Sequence, residues 1–394
     1  MFEKEFIPYG KHKISKDDIQ SVIDVLKSDF LTQGPKIKEF EDKVAHKVGS
    51  KYAISSNSAT SALHIACLAL GLSKNDILWT SSITFVASAN VGRYCGAKVD
   101  FVEIDFNTGL ISINALTEKL EIAKKNNKLP KIFIPVHLAG SSCDMEEIYK
   151  LSLIYKFKIV EDASHAIGAS YKEFNVGECK FSDITIFSLH PVKIITSGEG
   201  GIATTNDKHL YDQMKLLVSH GIEKNLSNFC ESTNDEIWNY QQLKLGFNYR
   251  MTDIQAALGL SQLRNLRKFV EIRNSIASIY NRELEDLTFK LPYVKSHNIS
   301  SYHLYVIRIP FRNNYYSQKY FFNSLKKANI LVNLHYIPVY RQPYYKELGF
   351  KKGYCPEAEL YFKEIITLPI FPTLKDEQQK YIIEKLKELD LKNG

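Results

Sequence analysis

The chain has 394 residues, of which 44% are hydrophobic and 24% charged, a composition typical of a globular protein with two or three domains. Its net charge of +7 comes from 51 basic and 44 acidic residues mixed along the whole chain, and without a basic arm this pattern argues against nucleic-acid binding. Residues 1–6 lack the apolar core of a signal peptide, and no apolar run approaches the roughly 18 residues of a membrane span.

The first predicted element is an amphipathic helix that begins near Ser15. Ser15 and Asp18 have the spacing of a capping box, and apolar residues follow at helical intervals from Ile19 to Leu26. A loop with Thr32, Gln33, Gly34 and Pro35 ends this segment.

Short apolar runs then alternate with helical stretches. The runs are residues 52–55, 77–80, 99–102, 132–136, 159–161 and 184–187. Strands that are apolar on both faces and separated by helices are typical of a parallel sheet covered on both sides. The sequence therefore predicts an α/β fold with a mainly parallel sheet flanked by helices.

After residue 250 the pattern changes. Thr252 is expected to cap a long helix from Asp253 to about Val270, which leads to a smaller C-terminal α+β unit. That unit contains apolar segments at 304–309 and 330–335 and a last helix after Thr373. We expect two domains, residues 1–252 and 253–394, and a polar surface loop over residues 223–242.

Polar residues that follow the strands are the first candidates for chemistry, because ligands bind at the carboxyl ends of parallel strands. Asn57 to Leu63 follows the first strand and opens a helix whose N-terminal N–H groups and dipole could hold a phosphate. An ordinary capped helix explains the same residues. Asp162 ends a buried strand, with His165 three residues later, and could keep a pyridine nitrogen protonated. The alternative is a turn-capping aspartate and a core histidine.

Lys193 lies just beyond another strand, in apolar surroundings and before the glycine turn at 198–201. Poor solvation there would lower the pKa of its amine and favour Schiff-base chemistry. Most lysines are solvated surface charges, so the neighbouring motifs distinguish this one.

Together these motifs resemble the DegT/DnrJ/EryC1/StrS family of sugar aminotransferases, which have the fold of type I pyridoxal-phosphate enzymes. The resemblance extends from residues 31–35 to residues 368–372. It implies three catalytic residues: Lys193 as the Schiff-base lysine, Asp162 as the partner of the pyridine nitrogen and His165 beside the phenolic oxygen of pyridoxal 5′-phosphate.

The resemblance also assigns binding residues. Thr60, Ser61 and Ser188 match phosphate-binding positions, Phe85 lies where an aromatic residue covers the ring, and Asn248 matches an asparagine that reaches the cofactor of a neighbouring subunit. A homodimer with shared active sites follows from that last match. Substrate-binding positions are matched by Tyr9, Thr32, Arg250, His335 and Tyr336. An arginine paired with a surface acid and a histidine at a strand end are the alternatives for Arg250 and His335.

Within the family, the run from His190 to Lys193 and the segments 333–338 and 342–345 are similar to the subgroup of pseudaminic acid biosynthesis. The one departure is Leu189, where an aromatic residue is common. This subgroup implies amino transfer from L-glutamate to carbon 4 of UDP-2-acetamido-2,6-dideoxy-beta-L-arabino-hexos-4-ulose, giving UDP-4-amino-4,6-dideoxy-N-acetyl-beta-L-altrosamine. Another nucleotide-linked keto sugar is the alternative substrate.

Three other functions fit the sequence less well. A sugar dehydratase with the same cofactor replaces the Schiff-base lysine, usually by histidine, whereas Lys193 is present here. A nicotinamide-dependent nucleotide-sugar enzyme needs G-x-G-x-x-G after the first strand, where this chain has Asn57 to Thr60. A non-catalytic sensor is disfavoured by the complete set of chemical residues. The six cysteines lie singly, without metal-ligand spacing, and indicate reduced thiols, no metal and a cytoplasmic location.

Overall fold

The structure is a computed structural model that describes residues 6–230, 236, 238–310 and 317–391. The predicted surface loop at 223–242 falls partly outside these residues, as do residues 1–5. The α-helices are α1 (Lys16–Leu26), α2 (Pro35–Val48), α3 (Ala59–Ala69), α4 (Ala87–Tyr94), α5 (Ile113–Lys125), α6 (Met145–Tyr155), α7 (Lys208–Leu217), α8 (Asp253–Arg264), α9 (Leu266–Leu284), α10 (Gln318–Lys327), α11 (Pro343–Glu347), α12 (Pro356–Glu364) and α13 (Asp376–Leu391).

The strands are β1 (Tyr52–Ser56), β2 (Ile77–Ser81), β3 (Lys98–Val102), β4 (Ile132–Ile134), β5 (Lys158–Asp162), β6 (Ser170–Tyr171), β7 (Phe174–Asn175), β8 (Ile184–Ser188), β9 (Gly201–Thr205), β10 (Ile222–Glu223), β11 (Gln241–Gln242), β12 (Asn298–Ile299), β13 (Tyr305–Arg308) and β14 (Ile365–Leu368). Short 3₁₀ turns lie at Leu138–Gly140, Leu226–Asn228 and Val339–Arg341.

A seven-stranded sheet with the order β1-β9-β8-β5-β4-β2-β3 forms the centre of the molecule. Its neighbouring strands are parallel except for β9, which runs antiparallel to both β1 and β8. The prediction of a mainly parallel sheet is confirmed, although β9 itself was not predicted.

The sheet is covered on both faces because side chains alternate between them. Ile134 belongs to the hydrophobic cluster formed with α3, α4 and α7. Its neighbour Phe133 points the other way, into a cluster with α5 and α6. Phe187 joins a third cluster, which α2 and α8 close over the β1, β9 and β8 end. Because most of the strands are parallel, their carboxyl ends lie along one edge, where polar residues can meet.

The N-terminal helix is confirmed at Lys16–Leu26, with a complete capping box between Ser15 and Asp18. The long helix predicted from Asp253 to about Val270 is wrong in its extent. Thr252 caps α8 as expected, but the helix is interrupted at Asn265 and a second helix continues to Leu284.

A separate hydrophobic cluster lies in the C-terminal part, where α9, α10 and α13 pack on the β13–β14 pair. The segment 330–335 contributes only isolated bridges, from Ile330 to Ile7 and from Asn333 to Thr367. The division at residue 252 stays a prediction. Within the described ranges, no helix is both long and apolar enough to cross a membrane.

Candidate active site

A cavity of about 1030 Å³ opens at the carboxyl edge of the sheet. Three strands lead into it: β1 is followed by Asn57 to Ser61, β5 ends at Asp162, and β8 ends at Ser188 and is followed by the loop that carries Lys193. Residues distant in sequence therefore converge at one place, as expected for parallel strands whose ends share an edge.

Lys193 is partly buried in the wall of this cavity. Its backbone N–H donates to the carbonyl of His190 at 2.9 Å, and the loop around it is tied to the sheet by the Leu189 N–H, which donates to Gly200 O at 2.9 Å. Burial lowers the pKa of the Lys193 amine to about 8, although the nearby Asp162 carboxylate opposes that shift. The neutral, nucleophilic fraction of the amine near neutral pH is therefore far larger than for an ordinary lysine.

Asp162 is 5% exposed and is held by two donors. The Ser88 hydroxyl donates to Oδ2 at 2.6 Å, and the Ser164 N–H donates to Oδ1 at 3.1 Å. Thr84 lies 2.8 Å from the Ser88 hydroxyl and completes the chain of hydroxyls. These bonds fix the direction of a carboxylate that the cavity otherwise leaves free to meet a cationic ring nitrogen.

The N-terminus of α3 forms another part of the wall. Ser58 caps the helix by accepting from the Ser61 N–H at 3.1 Å, and the Ser61 hydroxyl donates to Asn57 Oδ1 at 2.6 Å. The first N–H groups of a helix have no partner within the helix. Gly201 lets this end lie against β9, since a Cβ there would come within 2.4 Å of Ser58 O. The N–H groups of Ala59 and Thr60 and the Thr60 hydroxyl thus lie together at this helix end, where an anion can bind.

His165 and Tyr336 form a neutral hydrogen-bonded pair beside Lys193. The Ala139 N–H donates to His165 Nδ1 at 3.3 Å, so the ring proton lies on Nε2, 3.2 Å from the Tyr336 hydroxyl. Burial and the nearby Lys193 and His335 lower the pKa of His165 well below its usual value. Because His165 Nε2–H donates to the Tyr336 oxygen, the hydroxyl proton of Tyr336 is free to donate elsewhere.

Tyr9, His335 and Phe85 also line the cavity. The His335 ring bonds to the Thr367 hydroxyl at 2.8 Å, and its centroid lies 5.3 Å from that of Tyr9. Burial lowers the pKa of His335 to about 3, so this ring is neutral. Phe85 is 57% exposed and lies 6.2 Å from the ring of Tyr336, at the mouth.

Ten of the predicted site residues therefore line one cavity: Tyr9, Thr60, Ser61, Phe85, Asp162, His165, Ser188, Lys193, His335 and Tyr336. The other three, Thr32, Asn248 and Arg250, do not line it. They are instead close to one another, because Thr32 bridges to Thr252 while Asn248 bridges to Ser219, whose hydroxyl also accepts from Arg250 Nη1 at 3.0 Å.

Some lining or supporting residues were not predicted. Asn57 and Ser164 adjoin predicted motifs and could have been included with them. Glu199 and Gln342 lie in segments that the sequence marked, the glycine turn at 198–201 and residues 342–345, whereas Ser88 has no local signal and only the folded chain brings it to Asp162.

The arrangement fits pyridoxal phosphate at three points. The α3 N-terminus with Thr60, Ser61 and Ser188 offers donors for the phosphate, Asp162 offers an anion for the ring nitrogen, and Lys193 offers an amine for the aldehyde. The volume also leaves room for a second molecule, since pockets for single small ligands span about 300–1,000 Å³.

Known proteins that are similar to this chain include sugar aminotransferases. A model of the DegT/DnrJ/EryC1/StrS aminotransferase family matches residues 12–387. The chain is 37% identical over 386 residues to the UDP-4-amino-4,6-dideoxy-N-acetyl-beta-L-altrosamine transaminase of Campylobacter jejuni serotype O:2, with 96% of each chain covered.

Solved structures are similar as well. Helicobacter pylori PseC, an aminotransferase involved in the biosynthesis of pseudoaminic acid, superposes with a TM-score of 0.88 and 31% identity, covering 98% of this chain and 100% of that one. The PMP form of the putative sugar aminotransferase Spr1654 from Streptococcus pneumoniae has a TM-score of 0.88 and 29% identity, covering 98% of this chain and 99% of that one.

Proposed function

The chain belongs to the DegT/DnrJ/EryC1/StrS aminotransferase family and is a pyridoxal-phosphate-dependent sugar aminotransferase; from this premise we propose its reaction and its residues. The amino donor is L-glutamate and the acceptor is UDP-2-acetamido-2,6-dideoxy-beta-L-arabino-hexos-4-ulose, which is aminated at carbon 4. The product is UDP-4-amino-4,6-dideoxy-N-acetyl-beta-L-altrosamine, an intermediate of pseudaminic acid biosynthesis.

One observation carries this proposal: Lys193 and Asp162 face the same cavity as the N-terminus of α3. When bound, pyridoxal phosphate supplies an electron sink for the negative charge that develops at the carbon losing a proton. Asp162, held by Ser88 and Ser164, balances the positive ring nitrogen that makes the sink effective. Thr60, Ser61 and Ser188 would hold the phosphate, and Phe85 would cover the ring face.

Lys193 moves the protons. Its amine, whose neutral form is more available at a pKa of about 8, would take a proton from the α carbon of glutamate and hold it beside the bound cofactor, which would supply the carbon that accepts it. In the second half of the reaction the same amine moves a proton in the opposite direction, onto carbon 4 of the sugar. One base on one face explains why a single stereoisomer would form. His165, neutral and fixed in tautomer by Ala139, lies beside the oxygen on the ring, and its Nε2 proton holds the Tyr336 oxygen.

Tyr9, His335 and Tyr336 bind the sugar nucleotide. All three are uncharged donors or acceptors on the cavity wall, and the free Tyr336 hydroxyl proton suits a sugar oxygen. The name of the similar Campylobacter protein supports a UDP-linked amino sugar as product. An aminotransferase for another nucleotide-linked keto sugar is the second candidate, because one hydroxyl or methyl contact changes selectivity by only about 1–3 kcal/mol.

We also infer a homodimer in which each subunit completes the other's site. Thr32, Asn248 and Arg250 lie together but outside the cavity of their own chain. Leu31 and Leu245, in the same segments, are 48% and 83% exposed, as expected for side chains covered by a partner. The cytoplasmic location stays a prediction.

The sugar assignment is tested by offering the purified enzyme L-arabino and D-xylo 4-keto UDP-sugars with glutamate. We expect amination of the L-arabino isomer, with the product identified by mass spectrometry and NMR. A clear preference for the D-xylo isomer would overturn the assignment to pseudaminic acid biosynthesis and favour the second candidate.

A further inference from the structure

A second polar cluster lies behind Asp162, outside the cavity. Neighbouring strand residues point to opposite faces, so Glu161 points away from the cavity that Asp162 faces. Its carboxylate is 5% exposed and accepts three bonds: from His137 Nε2 at 2.7 Å, from the Thr185 hydroxyl at 2.9 Å and from the Ser182 hydroxyl. Burial raises the pKa of Glu161, but these donors more than offset it and leave the pKa below its usual value.

His137 is the central member of this cluster and is fully buried. The Cys143 N–H donates to His137 Nδ1 at 3.2 Å. Since Nδ1 accepts, the ring carries its proton on Nε2 and donates it to Glu161. Both ring nitrogens are satisfied, and the imidazole has one orientation.

The segment that contains His137, residues 136–143, also binds two of the three predicted catalytic residues, Asp162 and His165, through its backbone. The His137 N–H donates to the carbonyl of Asp162 at 3.0 Å. Two residues later, the Ala139 N–H donates to His165 Nδ1, with Ala139 in the left-handed region at φ 61°. Gly140 follows at φ 100°, where a Cβ would come within 2.4 Å of Ser301 Oγ. A strained segment that is held this tightly leaves little freedom to either residue.

We propose that His137 and Glu161 are positioning residues for the cofactor site: their buried hydrogen bonds hold segment 136–143 against β5 and so fix Asp162 and His165. Neither residue lines the cavity, so any effect on the cofactor would pass through the residues that they hold. The inference rests on the proposed role of Asp162. A small displacement of a positioned group is enough to slow catalysis by about 100-fold.

Three variants of the holoenzyme test this proposal. Glu161→Ala removes the acceptor. Glu161→Gln can turn its carbonyl to His137 and its amide to the two hydroxyls, so it keeps the bonds without the charge. Tyr280→Phe is the matched control, because it removes a buried hydroxyl that donates to Pro369 O at 3.0 Å in the C-terminal cluster. Thr185→Val, which removes one hydroxyl of the cluster, serves if Glu161→Ala does not fold.

Three quantities are measured: the cofactor dissociation constant, the pH midpoint of the visible absorbance of the bound cofactor, and Tm. We expect Glu161→Ala to weaken cofactor binding by about tenfold or more and to move the midpoint, while Glu161→Gln restores both. Tyr280→Phe should lower Tm without changing either quantity. The inference fails if Glu161→Ala behaves like Tyr280→Phe.

The variant Asp162→Asn distinguishes the proposed role of Asp162 from the positioning role of His137 and Glu161. If it weakens cofactor binding while Glu161→Ala does not, the role of Asp162 stands and the positioning role is wrong. If Asp162→Asn leaves cofactor binding and the pH midpoint unchanged, the proposed role of Asp162 is wrong and the inference falls with it.

Discussion

Replacing Lys193 by methionine should stabilise the cofactor-free protein in a pH-dependent way. The pKa of Lys193 is lowered from 10.5 to about 8, mainly by burial. Each unit of difference in pKa corresponds to about 1.36 kcal/mol. Holding this cation therefore costs the folded state up to about 3 kcal/mol of free energy. Methionine has a similar length and no charge, and removes that cost.

The direction in which this stability difference changes with pH follows from proton linkage. Below pH 8 both the folded and the unfolded chain hold the proton, and the full cost applies. Between pH 8 and 10.5 only the unfolded chain keeps it, so the stability of the native protein rises with pH and the advantage of Lys193→Met shrinks.

Urea unfolding of the cofactor-free proteins at pH 7 and pH 10 measures this difference. We expect the advantage of Lys193→Met in free energy of unfolding to fall by about 2 kcal/mol between the two pH values. Lys351→Met, at an exposed lysine, is the control and should show no such change. If the advantage of Lys193→Met were the same at both pH values, the lowered pKa of the Lys193 amine would be refuted.

Ser88→Ala should lower kcat by about 10- to 100-fold, because it removes the 2.6 Å hydrogen bond from Ser88 to Asp162 and hydrogen bonds to charged groups contribute about 1.5–3 kcal/mol. Unchanged steady-state kinetics would contradict this expectation. Phe133→Ala, at a fully buried ring, should cost about 3–5 kcal/mol of unfolding free energy, and a loss below about 1 kcal/mol in urea titrations would be inconsistent with the packing. Inactive Lys193→Ala and Asn248→Ala subunits, mixed after unfolding, should regain about one quarter of wild-type activity if two-fold dimers share sites, whereas no recovery would exclude shared sites.

Local signals predicted much of the fold. The capping box at Ser15, the apolar strands and the cap at Thr252 each depend on residues within a few positions. Strand β9 was missed because Gly201–Thr205 is only weakly apolar, and its place between β1 and β8 depends on pairing with distant strands. The break at Asn265 was missed because neither glycine nor proline marks it.

The candidate site divides in the same way. Lys193 and Asp162 were predicted because each follows a recognisable strand, and the order of the motifs resembled a family. The groups that hold them were not predicted. Ser88 lies 74 residues before Asp162, and His137 lies 24 residues before Glu161. No local pattern connects such pairs, since contacts between separate strands and helices are set by tertiary packing.

The most direct test of the account is chemical identification of the lysine that holds the cofactor. The holoenzyme is reduced with borohydride, which makes the link to the lysine permanent, then digested and analysed by mass spectrometry. The account predicts that the cofactor mass lies on the peptide containing Lys193, and that Lys193→Ala protein carries none. Attachment at any other lysine of the wild-type protein would contradict it.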